Sequence, residues 1–151
     1  MTRRRLADEA GMVGGVEVLP FGFLIFVAFV LVIANAWAVI DAKLAVESAA
    51  REAGRAYVEA HDAGAAATAA DRAARTAVAG AGREPSRLTL QVRGGPYERC
   101  AVVEHIASYD VASLTVPFIG SFGSGFTVTG RHRSVIDPFA SGLGRTNGCG
   151  I

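Results

Sequence analysis

The chain has 151 residues, a formal charge of +1 and a hydrophobic share of 51%, which suffices for one small domain beside one apolar segment and not for two full domains. So small a net charge provides no long-range field to gather nucleic acid, and the one local basic patch, Arg131-His132-Arg133, reads as a solvated strand end. Two cysteines and three scattered histidines supply no ligand spacing of the kind a structural metal needs.

Residues 1–15 form a short polar leader whose Arg3, Arg4 and Arg5 are expected on the cytoplasmic side. Residues 16–40 follow as a transmembrane helix. From Val18 to Ile40 there is no charge and one strongly polar side chain, Asn35. Phe21, Phe23, Leu24, Ile25, Phe26, Val27, Phe29, Val30, Leu31, Val32 and Ile33 cover every helical face, so no side is left for water. The run reaches roughly 34 Å against a hydrocarbon core of about 30 Å. A buried core helix is the alternative, but the remaining residues are too few to wrap it. A cleaved secretory signal would have an apolar region of about 7–15 residues ending at small residues, and this run is longer and continues as helix. Lys43, Arg51 and Arg55 beyond the span temper the positive-inside bias of the leader. Glu17, at the lip of the run, is either an interfacial acid that reaches water or a partner for a neighbouring subunit's amino terminus. Pro20 is tolerable near a helix start, where its missing N–H has no intrahelical partner.

The helix is expected to continue from Trp37, placed at the membrane interface, to about residue 62. Lys43, Glu47, Arg51, Arg55 and Glu59 make a charged stripe with Glu47–Arg51 and Arg55–Glu59 pairs. Val46, Ala49, Ala50, Ala53, Ala56, Tyr57 and Ala60 make an opposite face small enough for close approach, by the chain's own sheet or by another subunit. Gly64 is expected to end this helix in a left-handed cap, and the alanine-rich 65–78 to form a second one, stopped by residues 79–82 and Pro85. Residues 41–82 are thus an extracytoplasmic helical region.

Residues 83–138 change to a period of two. Strands are expected over 86–93, over 99–109 with continuation toward 116, and over 126–135, giving a small antiparallel sheet of about three strands that covers its apolar side with the alanine face of the long helix. The fold class is α+β. Between the last two strands, residues 117–125 combine Phe118, Ile119 and Phe122 with glycines; these three are expected to fold under the sheet, the other possibility being contact with lipid or a partner. A glycine-rich tail, 139–151, completes the chain. Cys100 and Cys149 both follow the span and lie on one side of the membrane. In an oxidising compartment they can pair and close a loop of about 50 residues; in the cytoplasm they stay thiols.

No nucleophile elbow, phosphate loop, dinucleotide fingerprint or paired-histidine zinc motif is present. Cys100 and His105 would point to opposite faces of one strand, as would Glu104 and His105. The reading is of a protein that is not an enzyme and takes no cofactor.

A leader ending in glycine, Val16-Glu17 followed by Val18-Leu19-Pro20 opening a span, and Ala49-Ala50-Arg51-Glu52-Ala53-Gly54-Arg55-Ala56 beyond it together resemble the TadE-like family of tight-adherence (Flp-type) pilus assembly proteins, in its actinobacterial form. The likeness is best over residues 8–58. It implies a minor pilin-like subunit, single-pass in the cell membrane, with its N-terminus cytoplasmic and its C-terminal domain outside. It also implies membrane lipid and other pilus or secretion-system subunits as partners, no nucleic acid, and trimming by a prepilin peptidase after Gly11, Gly14 or Gly15. In that family the acid stands fifth after the cut; a cut after Gly11 places Glu17 sixth. The competing functional reading is a monomeric single-pass anchored domain that binds an extracellular ligand.

Overall fold

The computed structural model describes residues 18–112, 114–123, 125–141, 143 and 149. Its elements are α1 (Val18–Val58), α2 (Ala63–Gly80), a 3-10 turn at Pro85–Arg87, β1 (Leu88–Gly94), β2 (Val102–Val111), β3 (Leu114–Val116), β4 (Gly120–Phe122) and β5 (Phe126–Val135). This is the expected α+β fold, with one long apolar helix, a second helix and a three-stranded antiparallel sheet of order β1-β2-β5. Two compact units divide between Trp37 and Ala38. The first is the apolar half of α1. The second holds the rest.

Within the second unit, α1 buries Ala42, Ala45, Val46, Ala49, Ala50, Ala53, Gly54 and Tyr57, a stripe of small residues at helical spacing. Along β2, the alternate residues Val103, His105, Ala107, Tyr109 and Val111 are buried. Across the ladder they pair with Ser134, His132, Gly130, Val128 and Phe126 of β5, while Leu88, Leu90 and Val92 of β1 pair with Tyr109, Ala107 and His105. The intervening residues form the other face, which buries Ile106 and is otherwise mostly polar; there Arg133 meets Glu104 at 3.2 Å and the Thr127 hydroxyl donates to Asp110 at 2.6 Å. The centre of the apolar face is Ala107 beside Gly130. A Cβ on Gly130 would lie 2.5 Å from the Val46 carbonyl oxygen and 2.7 Å from the Glu47 nitrogen, so helix backbone rests on strand backbone there. Lys43 donates to the Thr129 carbonyl at the edge of the same contact.

Whether the alanine face serves this chain or its neighbours was open from sequence. It packs within the chain, with Ala66, Ala70, Ala74 and Val78 of α2 joining the same core. Arg83, after α2, donates to the Ala38 carbonyl at 2.7 Å and to Asp41 at 2.9 Å, and lies 5.6 Å from the centroid of the Tyr109 ring. It ties the start of this unit to the α2–β1 connection and to the central strand.

Several local expectations need correction. The long helix ends at Val58 rather than near residue 62, and Gly64 lies in the first turn of α2 instead of capping α1. The reason is Asp62, whose carboxylate accepts the Ala65 N–H at 2.8 Å and so starts a new helix where an acidic N-cap is most favourable. The carbonyls left at the end of α1 are taken by the Tyr97 hydroxyl, which donates to Ala60 at 2.6 Å and Tyr57 at 3.2 Å. On the charged stripe, Glu47 pairs with Lys43 at 3.2 Å, not Arg51, while Arg55–Glu59 forms as expected at 3.0 Å. Finally, the second strand does not run through to 116. It stops at Val111, and β3 folds back on β4 as a separate two-stranded hairpin. Phe118, Ile119 and Phe122 are exposed on that hairpin rather than folded under the sheet. The apolar face of the three-stranded sheet is already covered by α1 and α2, and the hairpin pairs apart from that sheet.

Candidate membrane span and assembly surface

From Val18 to Trp37 the large apolar side chains of α1 are exposed on all faces; Phe21 is 69% exposed, Leu24 67%, Phe29 62% and Val32 66%. Water would meet apolar surface on every side of this half-helix, the condition that distinguishes a lipid-facing segment from an amphipathic surface helix. α1 is long and apolar enough to cross a membrane. Its polar exception bonds within the helix, since the Asn35 amide donates an N–H to the Leu31 carbonyl at 2.8 Å, one turn back, which lowers the cost of carrying the side chain in an apolar medium. Pro20 lies inside the helix, at its third described residue, where the first-turn N–H groups have no intrahelical acceptor. Glu17 and the candidate processing residues Gly11, Gly14 and Gly15 lie outside the described residues.

No protein-family model, curated protein or solved structure matches this chain. Its chemistry must be read from its own residues.

Cys100 and Cys149 are bonded, 49 positions apart in sequence and with Cα atoms 5.4 Å apart, a distance ordinary for a disulfide. The bridge closes over β2 to β5. Beside it, Cys100 accepts a left-handed backbone (φ 66°) and its N–H donates to the Ile136 carbonyl at 2.9 Å, while Ile136 donates to Ala101 at 3.0 Å. Ile136 is fully buried. The bridge thus secures the strip that follows β5 against the start of β2.

Acid–base chemistry on this sheet would need Glu104, His105 and His132 to converge. They do not. His105 and His132 are cross-strand partners on the helix side of the sheet, while Glu104 sits on the opposite face with Arg133. His105 is completely buried, its ring 5.0 Å from that of Tyr57 and packed edge to face, and neither ring nitrogen has a hydrogen-bond partner among the described residues. Opposite it stands Gly54, where a Cβ would come within 3.3 Å of His105 Nδ1 and 2.6 Å of His132 Cδ2. Sequence reasoning weighed His105 only as a catalytic candidate and missed its place in the core. The signal was its position in the alternation Val103, His105, Ala107, Tyr109, Val111.

Burial above all, and then the neighbouring His132, push the His105 imidazole down from 6.5 to about 4. The unfolded chain therefore binds the proton first as pH falls, and stability present above about 6.5 is lost progressively toward pH 4, by up to about 3 kcal/mol. Thermal melts of the full-length protein across this range should show the loss, and His105→Leu should flatten it relative to the parent. Equal slopes for the two proteins would mean that His105 is accessible and ordinary.

Proposed function

We propose that this protein is a single-pass, minor pilin-like membrane subunit, with its N-terminus cytoplasmic and its C-terminal domain outside the cell. It helps to assemble a tight-adherence pilus or a related secretion apparatus by protein contacts, without catalysis or cofactor. The observation that carries the reading is the division of labour along α1, a helix of 41 residues, about 60 Å long. Its first half exposes apolar side chains all round, and its second half is the spine of a small domain. A helix so built can place a folded domain on a membrane while presenting lipid and neighbouring helices with a continuous apolar surface. The Cys100–Cys149 bridge supports an oxidising location for the domain. The resemblance to TadE-like proteins adds Glu17 as the partner of a neighbour's amino terminus and a prepilin peptidase as the processing enzyme.

One observation favours the second reading, a monomeric anchored domain that binds an extracellular ligand. The alanine face of α1 is already covered by the chain's own sheet and α2, which leaves the span as the main helical surface for subunits. Crosslinking in intact cells separates the two, since a ladder of species or adducts with other membrane proteins supports the assembly subunit and a lone species the monomeric receptor. Under the assembly reading, Glu17→Gln should reduce surface filaments and crosslinked adducts while leaving the protein in the membrane fraction; unchanged filaments and adducts would remove Glu17 from the mechanism. A membrane-impermeant thiol reagent applied to intact cells should label Cys100 and Cys149 only after reduction. Labelling without reduction, or none after it, would overturn the bridge or the orientation.

A further inference from the structure

Among the described residues of the second unit, the hairpin β3–β4 carries a large exposed apolar surface that the fold does not use. Between Asp110 and Arg131 the sequence carries no charge. Phe118 is fully exposed, and Ile119 is 72% and Phe122 49% exposed. The turn at its tip is also costly. The Ile119 N–H donates to the Val116 carbonyl at 3.2 Å across Pro117 and Phe118, and Phe118 has φ 68°, the left-handed position at which a turn of this kind calls for glycine. A phenylalanine held there gives up backbone comfort to present its ring outward.

The location of the hairpin follows from contacts inside the second unit. Along α1, Lys43 meets Thr129, Val46 meets Gly130, Gly54 meets His105 and His132, and Tyr57 meets Tyr97. Rising helix numbers thus run toward the start of β2, and the start of α1 in this unit, at Ala38, lies toward Val111 and Phe126. From Lys43 back to Ala38 the helix rises about 7–8 Å, and from Thr129 back to Phe126 the strand runs about 10 Å. The hairpin therefore leaves the sheet at about the level of Ala38, the residue bonded to Trp37 at the end of the apolar run.

We propose that the β3–β4 hairpin is a second membrane contact, in which Phe118, Ile119 and Phe122 lodge in the interfacial layer of the bilayer that holds the span. The inference rests on the reading of residues 18–40 as membrane-embedded and goes beyond it, since an anchor alone leaves the domain free to tilt. The occupant is lipid because the hairpin leaves the sheet at the level of Ala38, where the chain passes from the apolar run into this unit, and because its uncharged sequence offers exposed aromatic rings of the kind that partition into the headgroup layer. A hairpin so seated makes the domain a two-point attachment and fixes which of its faces looks outward.

The test uses the full chain, which has a single tryptophan, Trp37, in phosphatidylcholine vesicles with and without brominated phosphatidylcholine. Native Trp37 reports the span. The double variant Trp37→Phe/Phe118→Trp reports the hairpin, and Trp37→Phe/Phe139→Trp is the control, because Phe139 is 89% exposed but lies past Ile136, at the opposite end of the sheet. The expected result is blue-shifted emission and bromolipid quenching for residues 37 and 118, with neither for 139. Quenching at 37 without quenching at 118 overturns the hairpin contact and leaves the anchor standing. No quenching at 37 overturns the anchor and the hairpin proposal with it. A blue shift at 118 that grows with protein-to-lipid ratio and is insensitive to bromolipid assigns the surface to a second copy and overturns the lipid contact, and equal quenching at 118 and 139 overturns it as non-specific adhesion.

Discussion

Gly130→Ala is expected to destabilise the folded unit by about 3 kcal/mol, near the upper end for overpacking. The added methyl would be placed 2.5 Å from the Val46 carbonyl oxygen and 2.6 Å from its carbon. Both are backbone atoms of a helix with no side-chain rotamer to yield, so relief requires lifting α1 off β5. That movement would also loosen Ala42, Ala45 and Ala49, whose exposures are 0%, 4% and 0% and whose small size is useful only while the backbones touch. For a domain near 100 residues such a loss lowers the melting temperature by roughly 12 °C or more. Gly80→Ala is the matched control, because it lies at the end of α2 with nothing within 4 Å of its Cβ. It should be neutral or stabilising by a few tenths of a kcal/mol. Parallel thermal melts in one detergent decide the matter: if Gly130→Ala melts with the parent, α1 does not lie on the sheet at that point.

Removing the Cys100–Cys149 bridge should have an effect of similar or larger size. With the two residues 49 positions apart in sequence, the chain-entropy account gives about 4 kcal/mol for the lost restraint on the unfolded chain. The loss should appear first at one end of the domain. The bridge adjoins the hydrogen bonds by which Ile136 is held to Cys100 and Ala101, and Arg99 reaches the Ala140 carbonyl at 2.8 Å beside them. Hydrogen exchange in the reduced protein, or in Cys100→Ser/Cys149→Ser, should therefore rise at Ile136 before it rises at Ala107 or Tyr109 in the middle of β2. A reduced protein that melts at the temperature of the oxidised one, with unchanged exchange at Ile136, would show that the strip is held by packing alone.

Both predictions concern contacts with no strong signature in the chain. Gly130 interrupts the alternation of Val128 and His132, and an isolated glycine in a strand is a known mark of close backbone approach, but nothing nearby names the approaching element. Gly54 sits in a run of alanines and differs from them only in what it faces. His105 looked like a loose polar residue until the register set it against His132 and beneath Tyr57. The hairpin is the clearest case of a reading reversed by packing. Its composition is that of a buried loop, yet Phe118, Ile119 and Phe122 stand exposed on a hairpin apart from the three-stranded sheet, whose apolar face is covered by α1 and α2.

The order of the two helices and the three main strands, the α+β class and a helix apolar on all faces followed from sequence alone, because each depends on local periodicity: no charge between Val18 and Ile40, an alanine-rich run after Asp62, and alternation in β1, β2 and β5. Local spacing also showed that the second half of α1 has a face of small residues. Only the tertiary structure decided what covers that face. Alanine and glycine permit close approach by any flat apolar surface and select none, so the choice between a neighbour's helix and the chain's own sheet was made by the three-dimensional fit of Val46 over Gly130 and Tyr57 against His105.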